Sequence, residues 1–439
     1  MAVEHAGPWR GGAHGGPLAG VRVLDFSEII AAPFCTMMLS DMGADVIKVE
    51  PPDGEAWRLQ TQFMPGESKG FMSLNRGKRG LAVDLKTAEG QAIIHALVRE
   101  ADVAVVNYRP DVPAKLGIDY ATLAALNPRL IYAWNTAFGH QGPHAHRPGY
   151  DIILQAMTGL MSTAGGATAE GAPVTVGGTA VVDFSAGLIL AWAISAALYA
   201  RERTGEGQQI DTSLFGAGLA IQTTRFFAVK DVDLEPRGQL LETVRAHRRA
   251  GATYPETVQA VGTARGTPAA GSNLYYRCYQ AGDGFVAIGC LSAALRLKFC
   301  RALGISDARL SPLGVMRRDP ENVEQTRQLV QETEALFRTR SVAAWLAVFD
   351  AAGVPAGPVQ FVDELFDDAH VHANGLLVEV EHVAAGALQM VGPPVQMSRT
   401  PLAPQGASPA LGQHTDALLH ALGYDAARIA ALREQGIVR

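Results

Sequence analysis

A single aspartate, Asp183, stands in the stretch GGTAVVDFSAGLILAWAISAALYARERTGEGQ, residues 177–208, with two glycines upstream and the uncharged run 184–200 directly after it. A carboxylate at the head of an apolar helix has two uses. It can cap the helix by accepting first-turn N–H groups, or it can act as a nucleophile while those N–H groups face the negative charge that develops on its target. Gly177, Gly178 and Gly187 leave room for close backbone approach, by a neighbouring sheet or by a ligand. A helix N-terminus is also expected to keep the carboxylate ionised. A second acid, Asp151 in RPGYDIILQ, follows Tyr150 and either positions a substrate or caps the helix predicted from IILQAMTGLM. Cys35, Cys278, Cys290 and Cys300 show neither Cys-x-x-Cys spacing nor a disulfide framework, and no His or Cys cluster has ligand spacing. No metal is therefore expected, and chelation or thiol alkylation should leave activity intact.

Composition limits what such a carboxylate could serve. At 439 residues the chain exceeds one ordinary core, so two domains are expected. With 37 Lys and Arg against 43 Asp and Glu, the net charge is −6, which argues against nucleic acid as a partner and requires any anionic ligand to be met locally. The four cysteines read as buried small hydrophobes in a reducing cytoplasm. The opening MAVEHAGPWRGGAHGGPLAG lacks the apolar core of a signal peptide, so residues 1–16 are expected to form a disordered leader. The run 184–200 is shorter than the roughly 20 residues of a spanning helix and contains Gly187 and two serines, so a buried helix and no membrane are expected.

From residue 21 the pattern becomes regular. VRVLDF is a short apolar run suited to a buried strand, and DVIKVE, LAVDL (81–85), VAVV (103–106) and LIYAW (130–134) are strand-like as well. Helical segments alternate with them: APFCTMMLSDMG with Pro33 early and Gly43 as its stop, EGQAIIHALVREA (89–101) and DYATLAALN (119–127). That alternation predicts an α/β fold, an open parallel sheet covered on both faces. No G-x-G-x-x-G or P-loop follows any strand, so neither nucleotide fingerprint is present. A helical stretch should follow TGEGQQIDTSLF to about Lys230. Residues 231–270 look irregular, like a long connection. In YYRCYQAGDGFVAIGC a Gly282–Gly284 turn joins two strand-like runs that open a second domain, which continues with helices at 292–303 and 322–350. LGQHTDALLHALGYDAARIAALREQGIV reads as a helix pair with a Gly-containing turn.

The order of these segments resembles the family III CoA-transferases, relatives of formyl-CoA and carnitine CoA-transferases. The resemblance rests on PLAGVRVLDFSEIIAAPFCTMMLSDMGADVIKVEPP, LNRGKRGLAVDLK, ADVAVVNYRP, LNPRLIYAWNTAFGHQGP, RPGYDIILQAMTG, TGEGQQID and LGQHTDALLHALGY, and covers roughly residues 17–437. It implies a Rossmann-like large domain from residues 17–230 and a return segment 373–439, a small domain over 271–372, a linker at 231–270, and an interlocked homodimer. It also implies the chemistry. Asp183 would attack an acyl-CoA thioester to give an aspartyl anhydride, then an aspartyl-CoA thioester, from which CoA passes to an acceptor acid. CoA is thus a substrate and no cofactor is bound permanently.

The same resemblance places CoA contacts at Lys78, Asn107, Tyr108, Arg109 and Lys115, in blocks that also hold Arg76 and Arg79. Pro51 stands where formyl-CoA transferase has Arg, so the adenine end is expected to be held differently. GTPAAGSN (266–273), with Gly271, Ser272 and Asn273, either occupies the place of a glycine-rich loop over the active site or is an ordinary turn before a strand. Arg245, Arg248 and Arg249 either meet a second carboxylate of the acceptor or form a solvated charge run; a small polar or dicarboxylic acceptor, with succinyl-CoA as donor, is the expectation. α-Methylacyl-CoA racemases of the same superfamily carry His where this chain has Tyr150, a poor base with an ordinary pKa near 10. A racemase, or a non-enzymatic acyl-CoA-binding or activating subunit, are the alternatives at this point.

Overall fold

The computed structural model describes residues 7–9, 15–265, 273–310 and 320–439. The chain divides into two units, one from Met1–Gly166, Pro173–Phe227 and Ala369–Arg439, the other from Ala167–Ala172 and Ala228–Asp368. The first is built on six parallel strands: β1 (Arg22–Asp25), β2 (Asp45–Glu50), β3 (Arg79–Ala82), β4 (Val103–Val106), β5 (Ile131–Thr136) and β6 (Gln208–Ser213). Their spatial order is β3-β2-β1-β4-β5-β6. The chain therefore moves outward from β1 on one side and restarts with β4 on the other, which makes the β1/β4 gap the switch point of the sheet.

Side chains leave this sheet alternately. Leu24, Ile47, Val49, Ala104, Val106 and Tyr132 pack on one face with α2 (Ala88–Val98) and with Leu418 and Leu432 of the C-terminal helix pair. Val23, Val46, Val103, Val105 and Ile131 pack on the other with α1 (Ala31–Asp41) and α4 (Val181–Thr204), α3 being Asp151–Met157. Each such fully buried aliphatic side chain stabilises the fold by about 1.5–3 kcal/mol. The expected doubly covered α/β sheet is what the chain forms. Its sixth strand went unrecognised because QQIDTS is polar and half exposed at the sheet edge.

The apolar helix is longer than the uncharged run suggests. α4 has 24 residues and is apolar enough to cross a membrane by length and composition, yet Leu190, Ile194 and Leu198 are buried against the sheet. Its opposite face carries the exposed Leu188, Trp192 and Tyr199. At Gly187 a Cβ would stand 2.5 Å from the Ala31 carbonyl oxygen and 3.0 Å from the Phe34 ring, so only glycine lets α4 cross α1 this closely.

Three expectations change. Pro8 and Trp9, assigned to a disordered leader over 1–16, pack on the first unit: Trp9 is buried, the Arg22 guanidinium lies 6.0 Å from its ring, and Arg79 donates to the Pro8 carbonyl at 2.8 Å. Residues 231–270 are not an irregular linker where they are described. They form α5 (Lys230–Arg249) and α6 (Tyr254–Ala264), the latter opened by a capping box between Thr253 and Glu256 with Pro255 in its first turn. Leu, Glu, Arg and Ala make α5 a good helix despite Pro236, and Arg249 and Arg245 pair with Glu242 on the same helix, so these two arginines are solvated helix charges. The stretch 322–350 is two helices, Pro320–Phe337 and Val342–Ala352, the second capped by Ser341.

In the second unit Tyr276–Gln280 and Phe285–Gly289 pair antiparallel across the Gly282–Gly284 turn, and Ala356–Pro358 adds a third strand. Tyr279, Phe337, Trp345 and Phe349 stack in its core. Gly271 and Ser272 lie outside the described residues. Asn273 is described; its side-chain oxygen accepts from the Tyr275 N–H at 2.9 Å and closes a turn. Cys35, Cys290 and Cys300 are buried as expected, whereas Cys278 is exposed; none of the four is in a disulfide.

Candidate active site

At the carboxyl ends of β1, β4 and β5 the first unit has a cavity of about 340 Å³ that opens to solvent. Its wall is made by the segment from Glu28 to Ala31 after β1, Asn107 to Arg109 after β4, Asn135 and Thr136 from β5 with Ala137 after it, Pro148 to Tyr150, and Asp183. This is the switch point, where strand pairing cannot fill the space between diverging loops. Among the described residues that line it there is no histidine and no cysteine. Among the described residues overall, no group of three His, Cys, Asp or Glu side chains could hold a metal ion.

Asp183 is the third residue of α4 and is 7% exposed. The capping reading fails here: Ala180 occupies the N-cap position, and no side chain of its own segment caps the helix. That work is done from another helix. Asp151 Oδ1 accepts from the N–H groups of Val182 at 2.8 Å and Asp183 at 3.3 Å, while Oδ2 accepts from Gln155 at 2.6 Å. Gln155 in turn accepts from the Val176 N–H at 2.7 Å, fixing the turn that leads into α4. Asp151 therefore does not cap its own helix, which has Tyr150 at its N-cap and no side-chain cap.

This arrangement reverses the expected electrostatics of Asp183. Burial, and then the charge of Asp151, push its carboxyl from 3.8 up to about 7. The helix N-terminus does not hold it ionised because the nearest N–H groups are already taken by Asp151. No donor among the described residues reaches the Asp183 carboxylate. In Asp151→Asn the amide oxygen can still accept from Val182 but the charge is gone, so the titration of Asp183 should move to lower pH. Carbodiimide modification of Asp183 as a function of pH reads this directly; an unmoved midpoint would assign the whole shift to burial.

The residues expected around CoA divide into two groups. Asn107, Tyr108 and Arg109 line the cavity. Asn107 is a brace: its oxygen accepts from the Glu28 N–H at 2.9 Å and its NH2 donates to the Glu28 carbonyl at 2.7 Å. Tyr108 donates to Glu28 Oε1 at 3.3 Å, and its carbonyl accepts from Trp134 at 2.9 Å. Arg109 is exposed, 3.7 Å from Asp111, and can turn toward an anion. Lys115 is on the surface, paired with Asp111 at 2.9 Å, and does not line the cavity.

Lys78 is placed wrongly by the sequence reading. Its side chain is fully buried and donates to Asp25 at 2.9 Å, to the Pro33 carbonyl at 3.0 Å and to Asn75 at 2.7 Å, so no CoA phosphate can reach it here. Arg76 and Arg79 are likewise spent on Asp41 and Asp45. LNRGKRG looks like a solvated basic loop, but it delivers its cations into a sheet that already carries buried acids. Burial alone would raise the Asp25 carboxyl; Lys78 and Lys48 hold it well below its usual value.

Lys48, Glu50, Glu55, Arg58 and Glu67 extend this buried charge system and were not singled out from sequence. The signal was present in DVIKVE, since Lys and Glu inside a buried strand require partners.

Comparison with known proteins gives a consistent answer. The family model described as CoA-transferase family III matches residues 18–415. A succinyl-CoA:glutarate CoA-transferase of Mus musculus is 34% identical over 427 residues, covering 96% of this chain and 90% of that protein. An acetyl-CoA:oxalate CoA-transferase of Acetobacter aceti is 34% identical, covering 87% of this chain and 90% of that protein. The crystal structure of a CAIB/BAIF family protein from Brucella suis superposes with a TM-score of 0.71 at 29% identity, covering 93% of this chain and all of that one (100%).

Proposed function

Because the chain belongs to the family III CoA-transferases and is a CoA-transferase, we propose that it moves CoA from an acyl-CoA to a dicarboxylic acid through covalent intermediates on Asp183. The observation that carries this reading is a buried, basic carboxylate in the wall of a cavity that also holds the Glu28 carboxylate, which accepts from Tyr108, and has no histidine or cysteine among its described lining residues.

The sequence of steps needs no further nucleophile or base. An Asp183 carboxylate oxygen adds to the thioester carbonyl and expels CoA thiolate, leaving an acyl-aspartyl anhydride. The thiolate attacks the aspartyl carbonyl and releases the donor acid as its carboxylate, which gives aspartyl-CoA thioester. The acceptor carboxylate attacks that thioester and frees the thiolate again. The thiolate then takes the acceptor acyl group and restores the Asp183 carboxylate. Every nucleophile arrives without a proton and every leaving group departs as an anion, so no general acid or base is required. A carboxyl raised to about 7 is a stronger nucleophile once ionised than one near 4.

The dicarboxylate assignment draws on the named substrates of the two relatives and on Arg109 at the cavity, the one residue with a permanent positive charge among the described lining residues. With succinyl-CoA as donor, glutarate or oxalate should exceed a long aliphatic acid in kcat/KM by roughly tenfold or more. A preference for long aliphatic or aromatic acids in a coupled acceptor screen would overturn the assignment.

An interlocked homodimer completes the reading. Leu188, Trp192 and Tyr199 form an exposed apolar face on α4, and Phe226 and Phe227 are also exposed, a surface that a second chain would cover. Light scattering should give the mass of two chains and hold it on dilution, since linked chains cannot part without unfolding. A monomer at low concentration would refute it. The four unpaired cysteines suit the reducing cytoplasm in which we place the enzyme.

A further inference from the structure

The segment joining β1 to α1 is held by groups that have no part in the transfer steps. Asp25 accepts from the Ser27 N–H at 3.0 Å, Lys48 donates to the Ser27 carbonyl, and Asn107 brackets both backbone groups of Glu28. Next in line, Glu55 Oε2 accepts from the Ile29 N–H at 2.8 Å. Ile29 has φ of 72°, in the left-handed region that a β-branched residue avoids. Such a conformation persists where its surroundings over-determine it. Glu28, Ile29 and Ile30 are also part of the wall of the Asp183 cavity. Glu55 itself is 1% exposed, with Oε1 3.4 Å from the buried Lys48 Nζ, so the group gripping Ile29 is immobilised in turn.

We infer that Glu55 is a positioning residue for CoA transfer: by holding the Ile29 N–H it fixes the left-handed turn that shapes the cavity wall against which acyl-CoA lies. The inference rests on the reading that the Asp183 cavity is where the thioester reacts. Glu55 touches no reacting atom. Its effect passes through one backbone N–H, and releasing that N–H lets Ile29 relax to negative φ and carries Glu28 and Ile30 with it.

A rescue experiment separates this role from that of a counter-ion for Lys48. Glu55→Ala removes both the grip on Ile29 and the partner of Lys48. Adding Ile29→Gly restores a residue that adopts positive φ without strain but gives Lys48 nothing. Ile29→Gly alone completes the double-mutant cycle. The readouts are kcat/KM for succinyl-CoA with glutarate and, independent of the acceptor, calorimetric binding of free CoA. Glu55→Ala should lose roughly tenfold to a hundredfold in kcat/KM and bind CoA more weakly, as expected for a misplaced wall, and the double variant should regain about tenfold. Wild-type behaviour of Glu55→Ala, or a double variant no better than Glu55→Ala, overturns the inference. Should Glu55→Ala not fold, hydrogen exchange at the Ile29 amide of the wild type decides. Slow exchange supports the grip, and exchange at the rate of a free loop amide refutes it. Failure of the underlying reading shows elsewhere, as Asp183→Asn retaining turnover.

Discussion

Asp183→Asn should lose turnover by roughly three orders of magnitude or more while the fold remains intact, because an amide cannot form the anhydride. The structure makes this a clean test, since Asp183 caps nothing: Asp151 accepts the N–H groups of Val182 and Asp183. Asparagine therefore removes no structural hydrogen bond of that kind. It also removes a carboxylate that is costly to ionise in place. Between the usual pKa of 3.8 and about 7 the folded chain keeps a proton that the unfolded chain has released, so wild-type stability falls as pH rises through this window and levels off above it. The variant lacks that loss. Its melting temperature should match wild type below pH 4 and exceed it above pH 7, by the equivalent of a few kcal/mol at most. Incubation with acyl-CoA followed by hydroxylamine should mark the Asp183 peptide of the wild type and leave the variant unmarked. Retained turnover in the variant, or a mark on Asp151, would remove Asp183 from its role.

The largest effect on stability is expected at Lys78→Met. Lys78 and Asp25 have fully buried side chains, and the variant would leave Asp25 without its nearest counter-charge and the Pro33 carbonyl and Asn75 without their donor. Breaking a buried pair from one side costs about 3–5 kcal/mol. Asp25→Asn in the Lys78→Met background should recover part of this, because the stranded charge is then gone. The midpoint of urea unfolding checks both. If Lys78 were a CoA ligand, as its position in LNRGKRG implies, the single variant would unfold at the wild-type midpoint and lose only CoA affinity.

The contrast between these two residues shows what can be read from the amino-acid order. β1, β4 and β5 were legible because each is a short apolar run bounded by polar or helical segments, and β2 because Val46, Ile47 and Val49 mark a strand in spite of its charges; both faces of each are covered. Asp183 stood out for the same reason, as a charge against an uncharged background. β6 and α5 were hidden because their residues are polar, and only backbone pairing or helix propensity marks them. Asp151 capping α4 joins residues 31 positions apart, and no local motif encodes that hydrogen bond. The fate of Lys78 was equally hidden, since a lysine seeking Asp25 and a lysine seeking a phosphate look alike until the sheet brings 25 and 78 together.

The β3 side of the first unit is finished by the far end of the chain. Val83 bridges antiparallel to Val438, Asp84 donates to the Ile437 carbonyl at 2.8 Å, and His414 and Thr415 accept from Gly80 and Ala82. The second unit is drawn almost entirely from 228–368 and so is complete in the nascent chain while this edge still waits for residues 414–438. During synthesis the order of assembly is thus inverted relative to the order of residues: the inserted unit can close first, and the unit that carries Asp183 closes only as the helices over 415–434 emerge. Until then the strand edge at β3 is open to pairing with other chains. Slow or interrupted translation of the stretch that encodes residues 414–438 would therefore be read out as aggregation of the half that carries Asp183.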